Sequence, residues 1–142
     1  MTTPVWTRYI AIGDSFTEGM SDPDPATSDA YVGRADRLAV HLDAVAEEAH
    51  VPFAYANLAV RGRKLDDVVG PQLDTALSLA PDLVSMVGGG NDLLRPSVDL
   101  DSLASRIEDA VVRLRRAGAD VLLATPAVPR DAGLFKALRP RH

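Results

Sequence analysis

The chain of 142 residues is 46% hydrophobic and 25% charged, a composition typical of one globular domain. Its net charge of −5 excludes a general electrostatic attraction for nucleic acid, and the absence of cysteine excludes disulfides, thiolate zinc sites and a cysteine nucleophile. No apolar stretch approaches the ~20 residues of a membrane-spanning helix, and residues 1–8 lack the apolar core of a signal peptide, so we expect a cytoplasmic protein without a membrane span.

Apolar stretches in the first half of the chain predict two strands with a helix between them. The first strand is expected at residues 9–12, and two X-Pro pairs hold the following segment, 21–29, in a loop. A helix is expected over 31–49, because its apolar residues recur at spacings of three and four. The second strand is expected at 53–58.

The second half of the chain continues the alternation of helix and strand. A helical stretch begins near residue 64, and Pro71 is expected in the first turn of a second short helix. A third strand at 83–87, a helix at 101–117 and a fourth strand at 120–125 follow. Four short apolar strands separated by helices predict an α/β fold, with a parallel sheet covered by helices on both faces.

Three of the predicted strands end in motifs suited to acyl transfer. Residues 13–15 read Gly-Asp-Ser after the first strand, Gly62 follows the second, and residues 89–92 read Gly-Gly-Asn-Asp after the third. Carboxyl ends of parallel strands share one edge of a sheet, where open α/β folds build their sites. At that edge Ser15 can offer a hydroxyl nucleophile and a backbone N–H, while the Gly62 N–H and the Asn91 side-chain amide can offer further donors for an oxyanion.

In this order the three motifs resemble the SGNH (GDSL-type) family of serine esterases and acylhydrolases, and the resemblance covers about residues 9–125. It implies a three-layer, flavodoxin-like parallel sheet with the first strand at its centre. It also implies that Ser15 attacks a small-molecule ester while Gly62 and Asn91 stabilise the oxyanion, with no metal or organic cofactor.

Each of these residues also has a simpler interpretation as part of a turn. Ser15, Gly62 and Asn91 are residue types that loops use for their backbone conformation alone. Asp14 and Asp92 are expected to support the site indirectly, by accepting backbone N–H bonds that shape their loops.

The catalytic base is the missing part of the resemblance. The family takes it from an Asp-x-x-His block near the carboxyl terminus, and no such tetrapeptide occurs in the chain. His41 is expected on a helix surface, and His50 lies roughly 27 Å from Ser15 at the far end of that helix. His142 remains as a candidate, although a chain terminus holds a base poorly.

We therefore interpret residues 1–142 as a single SGNH-hydrolase-like domain that lacks its last strand and helix. Such a chain is expected to be nearly inactive alone, and its exposed sheet edge favours a homodimer or a strand-swapped association. The alternative is a non-catalytic binding or scaffold module that kept the fold without the base. A phosphate-binding domain using residues 88–90 is disfavoured, because no Gly-x-Gly-x-x-Gly or P-loop lysine is present.

Overall fold

The computed structural model describes residues 4–14, 34–60, 64–89, 92, 97 and 99–124. Within this part the chain forms one sheet of parallel strands, in the order β2-β1-β3-β4. The strands are β1 (Arg8–Gly13), β2 (Ala54–Asn57), β3 (Leu83–Val87) and β4 (Asp120–Ala124). The predicted α/β class and the central place of the first strand are therefore confirmed.

Five helical segments connect these strands in the described part of the chain. They are α1 (Arg34–Glu48), α2 (Leu65–Asp67), a π-helical turn (Val68–Gln72), α3 (Leu73–Ser78) and α4 (Leu100–Arg116). Asp99 caps α4 by accepting the N–H groups of Asp101 and Ser102 at 3.1 and 3.2 Å. The predicted loop at 21–29 and the first residues of the predicted helix, 31–33, lie outside the described residues. No helix among the described residues is long and apolar enough to cross a membrane.

Helices cover both faces of the sheet. Successive residues of β1 point to opposite sides and therefore pack in two different clusters. Tyr9 and Ala11 are buried with Ala35 and Ala39 of α1 on one face. Ile10 and Ile12 are buried on the other face within a larger cluster. The other buried members of that cluster come from β3, the helical segments and the residue before β4: Val68, Leu73, Ala76, Val84, Met86, Ala110, Leu114 and Ala119.

The structure corrects the prediction for Pro71. We expected this residue to begin a separate helix, but α2, the π-helical turn and α3 follow one another without a break, and Pro71 lies inside the turn. The N–H of Leu73 reaches the carbonyl of Val68, five residues earlier. This wider turn accommodates a residue that has no N–H and whose ring crowds the preceding turn of a regular helix. We call the continuous unit of residues 65–78 the α2–α3 helix.

Candidate active site

The candidate site residues follow the carboxyl ends of β1, β2 and β3, which lie side by side in the sheet. Ser15, Gly62, Asn91 and the candidate base His142 are themselves outside the described residues. The described part of the site consists of the residues that precede or follow each of them in the chain.

β1 and β2 separate just before this edge. Leu58 still donates its N–H to the Ala11 carbonyl at 2.8 Å, as in a regular parallel ladder. The side chain of Asn57 then accepts the N–H of Ala59 at 3.0 Å, which forms a local turn at the end of β2. The Val60 N–H makes a last, longer contact of 3.2 Å with the Gly13 carbonyl.

Gly13 ends β1 in a conformation that suits glycine. Its φ is 154°, a value that residues with a Cβ rarely adopt. Its N–H donates to Oε1 of Gln72 at 2.7 Å, and its carbonyl accepts from Nε2 of Gln72 at 3.0 Å. Both backbone groups of the residue two places before Ser15 are thus bonded to one buried side chain.

Sequence reasoning missed Gln72, although a signal was present. Gln72 lies four residues after Val68 and four before Ala76, both of which are fully buried. A polar residue in the apolar stripe of a helix must find a hydrogen-bond partner inside the protein, because leaving its amide unpaired is costly. Gln72 is only 8% exposed and finds that partner in Gly13.

Asp92 connects the third motif to the second. Its Oδ2 accepts the N–H of Leu65 at 2.7 Å, and the carboxylate is buried. Lys64, at the start of the α2–α3 helix, contributes no side-chain cap of its own. Asp92 therefore satisfies one of the free N–H groups at this helix start, where a negative charge is also favoured. Asp14, beside Ser15 in the chain, is likewise buried.

The glycines after β3 permit a close approach between this strand and the α2–α3 helix. A Cβ added to Gly88 would lie 3.4 Å from Cδ1 of Leu65 and 3.6 Å from Cγ2 of Val68. Gly89 has a φ of 92°, in the left-handed region that favours glycine. These two residues lead the chain from β3 towards Asn91.

The described histidines do not reach this edge. His41 and His50 are both exposed, and His50 follows α1 at the opposite edge of the sheet, shortly before β2 begins. Two open grooves of 440 Å³ and 330 Å³ also lie away from the carboxyl ends, since Arg8 and Ala54, at the amino ends of β1 and β2, line both of them.

The chain matches a known protein family over most of its length. The sequence pattern of the GDSL-like Lipase/Acylhydrolase family matches residues 11–141. The chain belongs to this family. The match includes all three motifs of the candidate site, and the family is one of hydrolases. No curated protein sequence gives a significant match to the chain.

Solved structures of similar fold include two esterases and the protein TesA. A catalytic mutant of the acetylxylan esterase Axe2 from Geobacillus stearothermophilus has a TM-score of 0.74 and 20% identity, with 99% of this chain covering 68% of that one. TesA has a TM-score of 0.66 and 19% identity, with coverage of 95% and 69%. A mutant of the esterase AlinE4 has a TM-score of 0.65 and 18% identity, with coverage of 97% and 69%. About a third of each neighbour therefore has no counterpart in this GDSL-like chain.

Proposed function

We propose that the protein is a serine hydrolase that cleaves carboxylic esters of small or medium acyl groups. Ser15 is the nucleophile, and Gly62 and Asn91 are donors to the oxyanion. The observation that supports this assignment is a pair of buried hydrogen bonds, in which Gln72 accepts the N–H of Gly13 and Asp92 accepts the N–H of Leu65. They tie the segments that precede or follow the three candidate residues to one helix.

In the proposed reaction, the Ser15 Oγ forms a bond to the acyl carbon while the base takes its proton. The carbonyl oxygen becomes an oxyanion, which accepts hydrogen bonds from the N–H groups of Ser15 and Gly62 and the amide of Asn91. Collapse of this intermediate expels the alcohol, which receives the proton from the base. Water then attacks the acyl-enzyme by the same steps and releases the acid and free Ser15.

The proposed reaction also requires a base that takes the Ser15 proton. His142 is the candidate within this chain, and an Asp-x-x-His segment from further sequence or from a partner is the other source. Loss of the histidine from a serine triad costs about 10⁶ in turnover and leaves roughly 10³–10⁴ over water. We therefore expect slow hydrolysis from residues 1–142 alone. Two solved forms of Axe2 are catalytic mutants in which a serine and a histidine are replaced by alanine, which supports the same pair of roles here.

Hydrolysis of p-nitrophenyl acetate by the parent chain, Ser15→Ala and His142→Ala tests this function. A rate that Ser15→Ala removes identifies the nucleophile, because alanine has no hydroxyl to acylate. If His142→Ala removes the same rate, His142 is the base, and if it does not, the base lies elsewhere.

Equal rates for the parent chain and Ser15→Ala would contradict the proposed catalysis by this chain. That result would favour the second candidate, a non-catalytic binding or scaffold module. The sequence observation behind this alternative is the absence of an Asp-x-x-His tetrapeptide from residues 1–142.

A further inference from the structure

At the end of β1, the Gln72 side chain takes the place of a backbone hydrogen-bond partner that β2 would supply in a regular ladder. Ala11 lies opposite Asn57, so a continued parallel ladder would bond the Gly13 N–H to the carbonyl of Leu58. Gln72 Oε1 accepts that N–H instead, at 2.7 Å. The side-chain amide of Gln72 has one acceptor and one donor group, as a peptide group does, and it uses both on Gly13.

The π-helical turn contributes to this contact. Gln72 is its last residue, and the turn keeps the α2–α3 helix continuous through Pro71. Single π-helical turns within helices occur frequently at functional sites. Here the turn ends on the one polar side chain that the α2–α3 helix buries against β1, among the described residues.

The α2–α3 helix is thereby bonded to two of the candidate motifs and follows the third. Gln72 is hydrogen-bonded to Gly13, which lies two residues before Ser15. Asp92, the residue after Asn91, accepts the N–H of Leu65. The helix itself begins directly after residues 61–63, which include Gly62. Its apolar side, with Val68 and Leu73, is fully packed in the core, so the helix offers a rigid reference for all three.

We propose that Gln72 is a positioning residue for catalysis, which fixes the end of β1 relative to the α2–α3 helix and so sets where the Ser15 hydroxyl and N–H stand relative to the other oxyanion donors. This inference rests on the proposed role of Ser15. Two residues span at most about 7 Å of chain, so the position of Gly13 limits where Ser15 can lie. A misplacement of about 1 Å at a reacting group can reduce catalysis on the order of 100-fold.

The test uses 4-fluorophenylboronic acid, whose binding requires no turnover. Boron accepts the Ser15 oxygen, one proton is released, and the tetrahedral adduct places an oxygen among the oxyanion donors. Titration by ¹⁹F NMR gives its Kd for the parent chain, Ser15→Ala, Gln72→Leu and Gln72→Glu. Leu114→Ala is the control, because Leu114 is fully buried near the far end of α4 and its truncation destabilises the core without touching Gly13.

We expect Gln72→Leu to weaken the adduct on the order of 10- to 100-fold, since leucine can neither accept from nor donate to Gly13. Leu114→Ala should stay within about twofold of the parent chain at a temperature where circular dichroism shows both folded. Gln72→Glu provides a separate reading. Burial at this position raises the pKa of the introduced carboxyl group. The carboxylate that predominates at about pH 8 can only accept, whereas the protonated form that gains population towards about pH 5 can also donate to the Gly13 carbonyl.

The affinity of Gln72→Glu for the boronic acid is expressed as a ratio to that of the parent chain at each pH. This ratio should therefore rise as the pH falls. The ratio cancels pH effects from groups that both proteins share, including the carboxyl groups of Asp14 and Asp92. When circular dichroism shows both proteins folded at each pH, recovery of this kind is not expected from a side chain that only stabilises the fold.

Three results would overturn the positioning role while leaving the proposed function in place. They are a Gln72→Leu affinity within twofold of the parent chain, a loss no larger than that of Leu114→Ala, or a Gln72→Glu ratio that does not change with pH. If Gln72→Leu does not fold, the pH series of Gln72→Glu decides alone. Equal affinity of the parent chain and Ser15→Ala, including no binding by either, refutes the nucleophile itself and the positioning role with it.

Discussion

At the scale of single residues, the candidate site depends on buried polar groups that bond distant backbone. Asp92 and Gln72 are charged or polar side chains almost closed off from solvent, and each is bonded to one backbone segment. Burial without a partner would cost free energy, so such residues persist where their bonds are made. Gly13 and Gly89 complete the pattern, because each turns the chain with a φ that other residues avoid.

The bond from Asp92 to Leu65 gives a stability prediction. Asp92→Ala leaves the buried N–H of Leu65 without its acceptor, and we expect a loss of about 1–3 kcal/mol in the free energy of unfolding. Asp92→Asn keeps a side-chain oxygen at this position and should lose less. Urea unfolding followed by circular dichroism measures both. Equal losses in the two variants would show that the carboxylate charge, and not the bond to Leu65, is what the fold requires.

At the scale of elements, β1 and β2 are joined to α1 through two tyrosines. The rings of Tyr9 and Tyr55 stack with their centroids 5.2 Å apart. The Tyr55 hydroxyl donates to Asp36 of α1 at 2.6 Å, and the Tyr9 hydroxyl is hydrogen-bonded to Ser85 of β3 at 2.5 Å. Burial raises the pKa of Tyr55 above its usual value, and the hydrogen bond to Asp36 and the negative charge of that residue raise it further.

This raised pKa predicts a loss of stability at alkaline pH. The folded protein holds the Tyr55 proton more tightly than the unfolded chain, so the contribution is complete below about pH 10 and is lost as the pH rises above that value. Urea unfolding at pH 9 and pH 11 should show a smaller loss for Tyr55→Phe than for the parent chain. Tyr9→Phe should remove a separate part of the loss of stability, because burial also raises the pKa of Tyr9, and the double variant should lose least. The same loss in the parent chain and in Tyr55→Phe would contradict the assignment.

At the scale of the whole molecule, the outer strand of the described sheet is incompletely covered. β4 pairs with β3 on one side only among the described strands, and its residues Leu122 and Leu123 are 49% and 48% exposed. Open strand edges with apolar side chains favour pairing with another chain. The solved esterases Axe2 and AlinE4 extend beyond the region that this chain matches, by about a third of their length.

We therefore predict that residues 1–142 self-associate through β4. Light scattering coupled to size-exclusion chromatography should show a mass that rises with protein concentration, and Leu122→Lys should shift the protein towards the monomer by placing a charge at the contact. Val40→Lys is the matched control, because Val40 is 69% exposed on α1 and distant from β4. A monomer at every concentration, or an equal effect of the two lysines, would count against this surface.

Much of the architecture followed from local patterns along the chain. The spacing of apolar residues predicted every strand and long helix that the structure describes to within a few residues, because burying one helix face or both sheet faces imposes a period on neighbouring residues. The order of the motifs that contain Ser15, Gly62 and Asn91 was enough to indicate the family, because site residues at strand ends occur in short contiguous segments of sequence.

Other features were decided only by the tertiary structure. Gln72 and Gly13 are 59 positions apart, and Asp92 and Leu65 are 27 apart, so no local pattern relates them. The π-helical turn at Pro71 is similar, because a proline alone predicts a break, and a continuous helix is preferred here once both of its halves pack on the sheet. Sequence by itself determined which elements form and which residue types follow their ends. The folded sheet and helix determined which distant backbone groups the buried polar side chains could reach, because a hydrogen bond depends on position in space and not on separation along the chain.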